Sequence, residues 1–357
     1  MAEPERPPRR LSDEQLADIF REDVQPGLRD LLSQDSPRMV ILGGPQGSRK
    51  TTLRSVVAEQ LELSDALLYD GDDHFAFHPH YDRLARERGA LEAARLCGPD
   101  VGVLRDAILE EVLARRLNVM FIGPFTDEEY TLGRVATFRD EGYGTELAYT
   151  ALHPALTEVG VMDRHRWALS EGPGYSFLVP VELQQRITEG VPAIMTVVEE
   201  RRLADALHLV DAGGIAFSKR LAPDGAWEPA KLVGQAVEET RSRPWAPATR
   251  EDFLARRAAT ATPAGESAAE WNKRLARVDA LAAPMLNAPA TTGQTPSIAQ
   301  AARGRSTTSP ASGTTRKAAQ PTRGSGTSPA RQAAAPPVQR PATPPAPGRQ
   351  SSSGRSR

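Results

Sequence analysis

The sequence predicts an α/β protein, a parallel sheet wrapped by helices, and three observations predict it. Short apolar, β-branched runs alternate with helical stretches between residues 38 and 218, the pattern of strand–helix–strand units. The first of those runs stops at a glycine-rich segment that opens a helix, and in such sheets the chemistry gathers at the carboxyl ends of the strands. A body of about 250 residues is left once the low-complexity tail is set aside, enough for one sizeable core.

The elements follow in order. Residues 1–10 are Pro-rich and charged and are expected to be loose. Ser12 has the place of an N-cap with Gln15 at the third helical position, and Leu16, Ile19 and Phe20 suit one helical face ending near Pro26. Arg38 to Gly43 reads as a buried parallel strand, followed by a helix from Thr51 to Leu61. Ala66–Tyr69 is a second strand. Val103 to Arg116 is an amphipathic helix whose apolar positions are Val103, Leu104, Ile108, Val112 and Leu113. Asn118–Ile122 is a third strand, Glu128–Glu141 a helix, and Thr145–Leu152 a fourth strand. Two helices, Glu182–Glu189 and Thr196–Ala206, precede a fifth strand at Leu207–Val210, and Gly213-Gly214 turns the chain into a β-like Ile215–Ser218. A helix over Ala268–Ala283 closes the folded part, which is expected to span residues 11–285. No internal repeat interrupts this order.

Composition excludes several classes. From Asn287 to Arg357 there are 10 basic residues, no acidic residue and no aromatic. The near-neutral total therefore conceals a body of net charge −12 over residues 1–286, with 34 basic against 46 acidic residues. The Pro-, Ala-, Ser- and Thr-rich segment 286–357 is expected to be a disordered basic tail, because it buries too little apolar area to offset ordering. Its arginines have no aromatic neighbours, which speaks for tethering or solubility rather than base stacking, so a nucleic-acid partner is not expected. One cysteine, Cys97, excludes a disulfide framework and a cysteine-based zinc site. No apolar run is long enough to cross a bilayer, and no apolar segment follows the basic N-terminal residues. The expected location is cytoplasmic, with no membrane partner.

After the first strand come Gly44, Pro45, Gln46, Gly47, Ser48, Arg49, Lys50 and Thr51. The phosphate-loop pattern is G-x-x-x-x-G-K-[ST]. Gly44, Lys50 and Thr51 fit it, and Arg49 replaces the second glycine. Backbone N–H groups at a helix start hold phosphate oxygens. A lysine there reaches the β/γ-phosphates, and a threonine hydroxyl ligates Mg²⁺. ATP and Mg²⁺ are the cofactors this implies. If position 49 needs a positive φ, its side chain costs about 1 kcal/mol.

The second strand ends in Asp70-Gly71-Asp72-Asp73, followed by His74, Phe75, His78, Pro79 and Tyr81. Taken with the phosphate loop, this resembles the zeta toxin family of P-loop kinases, which carry I-D-G-D-x-[FL]-[RK]-x-x-H-P-x-Y after their second strand. Asp70, Gly71, Asp72, His78, Pro79 and Tyr81 match. The resemblance covers roughly residues 11–215 and implies a P-loop kinase-like fold. It implies an ATP-dependent phosphotransferase acting on the 3′-hydroxyl of the sugar in UDP-N-acetylglucosamine, and a small antitoxin as partner. It puts the general base on Asp72, which would take a proton from the attacking hydroxyl. Lys50 would lie on the phosphates and Asp70, His78 and Pro79 on the substrate side, with a packed, hydrogen-bonded position as the equal alternative for His78. Asp73 is a candidate for Mg²⁺ beside Thr51, with organisation of the turn as the alternative for Asp70 and Asp73.

Family members also bring arginines from a lid after the fourth strand. Arg164 is the match for the transferring charge and Arg166 the reserve; a charged helix face is the other reading of that segment. The segment from Gly174 to Pro180 lacks the second lid arginine, unless Arg186 reaches in. Arg49, Phe75, Ile122-Gly123-Pro124 in place of an E-G-T segment, and Tyr175 or Ser176 in place of an arginine all depart from the pattern. Two alternatives stay open on these departures: a kinase for another small hydroxyl acceptor, or a catalytically degenerate module that binds a nucleotide or a partner.

Overall fold

The structure, a computed structural model, describes residues 10–171, 178–263 and 265–288. The loose N-terminus and the disordered tail expected from the sequence fall, but for Arg10 and the first tail positions, outside the described residues. Helix α1 (Asp13–Ile19) starts as anticipated: Ser12 Oγ accepts the Gln15 N–H, and Gln15 Oε1 accepts the Ser12 N–H. Its expected end near Pro26 is corrected. The chain widens into a π turn at Phe20–Val24 and resumes as α2 (Gln25–Arg29). Pro26 lies in the first turn of α2, where a missing N–H costs nothing.

Strand β1 (Arg38–Gly43) leads through the glycine-rich loop into α3 (Lys50–Gln60), and β2 (Leu67–Asp70) into a 3₁₀ turn at Asp73–Phe77. Then come α4 (Tyr81–Arg88), α5 (Ala90–Ala114), β3 (Val119–Gly123), α6 (Glu128–Asp140), β4 (Gly144–Thr150) and α7 (Pro154–Glu171). The remainder is α8 (Val181–Arg201), β5 (Ala206–Asp211), β6 (Gly214–Leu221), β7 (Trp227–Glu228), α9 (Val233–Ser242), α10 (Pro247–Ala259) and α11 (Ala268–Asn287).

The sheet order is β2-β3-β1-β4-β5-β6-β7. The first five strands are parallel, as expected. The last two are antiparallel, because the Asp211–Gly214 turn is too short for a crossover. In register, Gly43 stands opposite Gly123 on one side and Tyr149 on the other, so the carboxyl ends of β1, β3 and β4 form one edge. On one face Val40, Leu42, Met120 and Ile122 pack against Leu53 and Val57 of α3. On the other, Met39, Ile41, Phe121 and Leu147 pack against residues of α5, α6, α8 and α9, including Ile108, Val135, Ile194 and Val237. A strand buried on both faces reads as a continuous apolar run, which is why β1 and β3 were legible.

Three further expectations change. The helix drawn from Val103 is the second half of a helix running through Pro99. Its core face is Val101, Leu104, Ile108 and Val112, while Val103 is 45% exposed. The two helices placed at 182–189 and 196–206 are one, α8, and Ala206 belongs to β5. Ile187, Val191, Ile194, Met195 and Val198 form one unbroken buried stripe across Gly190 and Pro192, so packing overrides the breaker residues. Helices α4, α9 and α10 had no counterpart in the sequence reading, and α7 only the charged helix face weighed for the segment around Arg164. Of these, α7 and α10 join α11 in a separate apolar cluster of Val159, Met162, Trp245, Phe253, Trp271 and Val278.

Candidate active site

The site begins where β1 ends. Gly44 has φ +152° and Gly47 φ +74°, a region that disfavours side chains. Space forbids them too: a Cβ on Gly44 would collide with Thr150 Oγ1, and one on Gly47 with the Thr157 carbonyl of α7. The loop is thus pressed between the end of β4 and the lid-side helix. Ser48 is fully buried, bonded to Thr150 Oγ1 at 2.8 Å. Gln184 of α8 donates to the Gln46 carbonyl at 2.7 Å. Arg49 is in the left-handed region, φ +62°, so the strain anticipated for a side chain there is present. Its guanidinium forms an ion pair with Asp252 of α10.

Lys50 heads α3. Its Nζ donates to the carbonyls of Gly44 at 2.8 Å and Pro45 at 2.9 Å. Desolvation, and then Arg164, pull the ammonium down to about 8, against Asp70 and Asp72. Asp70 ends β2 and Asp72 follows in the turn after it. The Asp72 N–H donates to Asp70 Oδ1 at 3.2 Å, and Arg105 holds the Gly71 carbonyl. Burial, with Asp73 second, raises the Asp70 carboxyl above its ordinary range. Arg164, on α7, is lowered by burial and held charged by Asp72 and Asp70.

These groups line one cleft of about 480 Å³ at the carboxyl edge of the sheet. Gln46 to Thr51, Asp70, Asp72, Arg164 and Arg166 all face it, so loop, second strand and lid helix converge as the sequence suggested. Gly44 and Pro45 stand behind the lining and present their carbonyls to Lys50. Ile122, Gly123 and Pro124 form part of the wall, so the departure from the family's E-G-T segment noted in the sequence falls on the cleft itself.

Other expected residues lie elsewhere. Asp73 is outside the lining, 3.5 Å from Arg54. His78 is buried, with Nε2 3.3 Å from Asp100 Oδ2 and Nδ1 accepting the His80 N–H. Asp100 of α5 in turn binds Arg10 and the Leu11 N–H, so Asp100 joins His78 and the N-terminal segment, and His78 lies outside the cleft lining, packed and hydrogen-bonded. Pro79 is exposed and outside the cleft. Arg186 is likewise exposed and outside it, while Tyr175 and Ser176 lie outside the described residues. Arg256 of α10 does line the cleft, and the sequence offered no signal for it. It belongs to an ordinary amphipathic helix far from any motif. Trp167, one turn beyond Arg164, lines it as well.

Together the strand order, the loop of main-chain donors and the lysine at the helix start define a P-loop protein of the kinase-like class. The zeta toxin family model matches residues 24–220. Toxin zeta of Streptococcus agalactiae is 19% identical over 211 residues, spanning 59% of this chain and 73% of that protein. Toxin PezT of Streptococcus pneumoniae is 23% identical over 150 residues, 42% of this chain and 58% of that one. A solved chain from the PezAT chromosomal toxin–antitoxin system of Streptococcus pneumoniae superposes with a TM-score of 0.57 at 16% identity, covering 76% of this chain and 99% of that chain. The chain belongs to the zeta toxin family. No described helix is long and apolar enough to cross a membrane.

Proposed function

We propose that this protein is an ATP-dependent phosphotransferase that moves the γ-phosphoryl group to an acceptor hydroxyl, with the sugar of UDP-N-acetylglucosamine as the acceptor the resemblance implies. The observation that carries this reading is the convergence of Lys50, Asp72 and Arg164 on one cleft. Lys50 and the loop N–H groups bind the phosphate chain and orient it. Asp72 accepts the proton of the attacking hydroxyl. Arg164 neutralises charge that spreads onto the transferring oxygens.

The residues present fit Mg²⁺. Thr51 is exposed at the cleft in the first turn of α3, with Asp70 and Asp72 in the same lining. Among the described residues no group of three or more His, Cys, Asp or Glu side chains is placed to hold a metal ion by itself, so Thr51 and these carboxylates would hold Mg²⁺ only together with oxygens of the bound phosphates. When bound, it supplies positive charge to the β- and γ-phosphates. Asp73 drops out of the ligand set through its position beside Arg54. The relative's system pairs toxin with antitoxin, and a protein antitoxin is part of this proposal.

The test is turnover of Mg·ATP with UDP-N-acetylglucosamine, read as phosphorylated sugar nucleotide by mass spectrometry. Asp72→Asn is expected to lower turnover at least about 100-fold while ATP still binds, and Lys50→Ala to lose ATP binding. Retained turnover in Asp72→Asn would overturn the base assignment. ATP binding without turnover on any hydroxyl acceptor would leave a nucleotide-binding module instead.

A further inference from the structure

We propose that Arg256 of α10 is a phosphate-binding residue of the cleft, supplying a cation from beyond the stretch matched to the family. It rests on the function proposed above. The family match ends at residue 220, yet α10 is anchored under the lid helix through Trp245 and Phe253 and brings Arg256 into the same lining as Lys50 and Arg164.

The local charge arrangement suits this role. Asp252 lies between two guanidiniums, paired with Arg49 on one side and 3.2 Å from Arg256 Nε on the other. Asp163 is likewise shared, 3.0 Å from Arg166 and 3.7 Å from Arg256 Nη1. Three arginines therefore share two carboxylates. Arg256 is oriented through its Nε, while Nη1 lies beyond hydrogen-bond range of Asp163. That leaves the terminal fork to present to an anion, and a planar guanidinium matches phosphate oxygens in a bidentate manner. Five cationic side chains line the cleft, Arg49, Lys50, Arg164, Arg166 and Arg256, against three carboxylates, Asp70, Asp72 and Asp163. The surplus is positive where polyphosphate would lie.

The phosphates come from one of two sources, the nucleotide donor or the diphosphate of a sugar nucleotide, and calorimetry with each probe separates them. The full chain is titrated with Mg·ATPγS and, separately, with UDP-N-acetylglucosamine. Arg256→Gln is expected to weaken one of the two about tenfold or more and to reduce the salt dependence of that binding. Arg256→Lys should recover part of the loss as a point charge. The melting temperature should hold, since Asp252 keeps Arg49 and Asp163 keeps Arg166. Arg257→Gln, the neighbouring position on α10, which removes an exposed pair with Asp279 of α11, should leave both affinities unchanged. If Arg256→Gln binds both probes as tightly as the parent while Lys50→Ala loses ATPγS, the proposal fails and the function stands. If the parent chain binds neither probe, both fail.

Discussion

At the scale of single residues, Lys50 shows what an anion site does to its own cation. Burial and Arg164 lower its ammonium to about 8, so without an anion it begins to lose its proton as pH rises through that value. A bound triphosphate restores the charge. ATPγS binding at pH 8 should therefore take up protons, and affinity should fall as pH rises further. Calorimetry at pH 8 in two buffers of different ionisation enthalpy measures the uptake directly. Equal apparent enthalpies in both would mean Lys50 is fully charged in the empty cleft. Arg49 is the other residue with a local story. It accepts left-handed strain of about 1 kcal/mol where glycine is usual, and in return the side chain clasps α10 through Asp252.

At the scale of elements, the sheet is cross-linked by a charge cluster below the site. Glu146 of β4 receives Arg38 of β1 at 2.6 and 2.9 Å, and its other oxygen lies 2.7 Å from His208 Nε2 of β5. Burial alone would raise the Glu146 carboxyl, but His208 and Arg38 bring it down to about 2. A depressed carboxyl stabilises the fold above its unfolded value of 4.5, and this contribution is lost as pH falls from there toward 2. Glu146→Gln should cost about 3 kcal/mol near neutrality, by leaving the part-buried Arg38 guanidinium uncompensated and the buried His208 ring without its carboxylate partner. Urea unfolding should show the gap between parent and variant shrinking below pH 4.5. A gap that stays constant with pH would show that the cluster acts by packing alone.

At the scale of the whole molecule, the C-terminal helices brace the lid helix. Trp271 of α11 is 2% exposed in the cluster with Val159 and Met162 of α7, and Arg274 binds Glu158 at 2.6 Å. His165, next to Arg164, lies 2.9 Å from Glu266. Trp271→Ala should cost about 3 kcal/mol or more and, because α7 carries Arg164, should weaken ATPγS binding too. Thermal melting and calorimetry on the same variant check both. Lower stability with parent affinity would show that α7 keeps its place without α11.

The parallel core and the phosphate loop were readable from residues alone, because both have local signatures. A strand buried on two faces must be apolar throughout, and a loop that receives phosphate must carry glycines before a lysine. Asp70, Asp72 and Arg164 were reached through the family resemblance, the two aspartates by the D-G-D stretch after the second strand and Arg164 as the match to a lid arginine after the fourth. His78 and Pro79 matched the same stretch and Asp73 lies within it, but after Asp72 the chain turns through a 3₁₀ segment and carries all three outside the cleft lining, and spacing along a chain does not record which way a turn faces. Arg256 and Asp252 lie more than two hundred positions from Arg49 with no motif around them. Their place beside the phosphate loop comes from apolar packing of α10 and α11 on α7. Contacts between distant segments depend on how whole helices fill a shared volume, and a periodic pattern within one helix says which face is buried without saying against what.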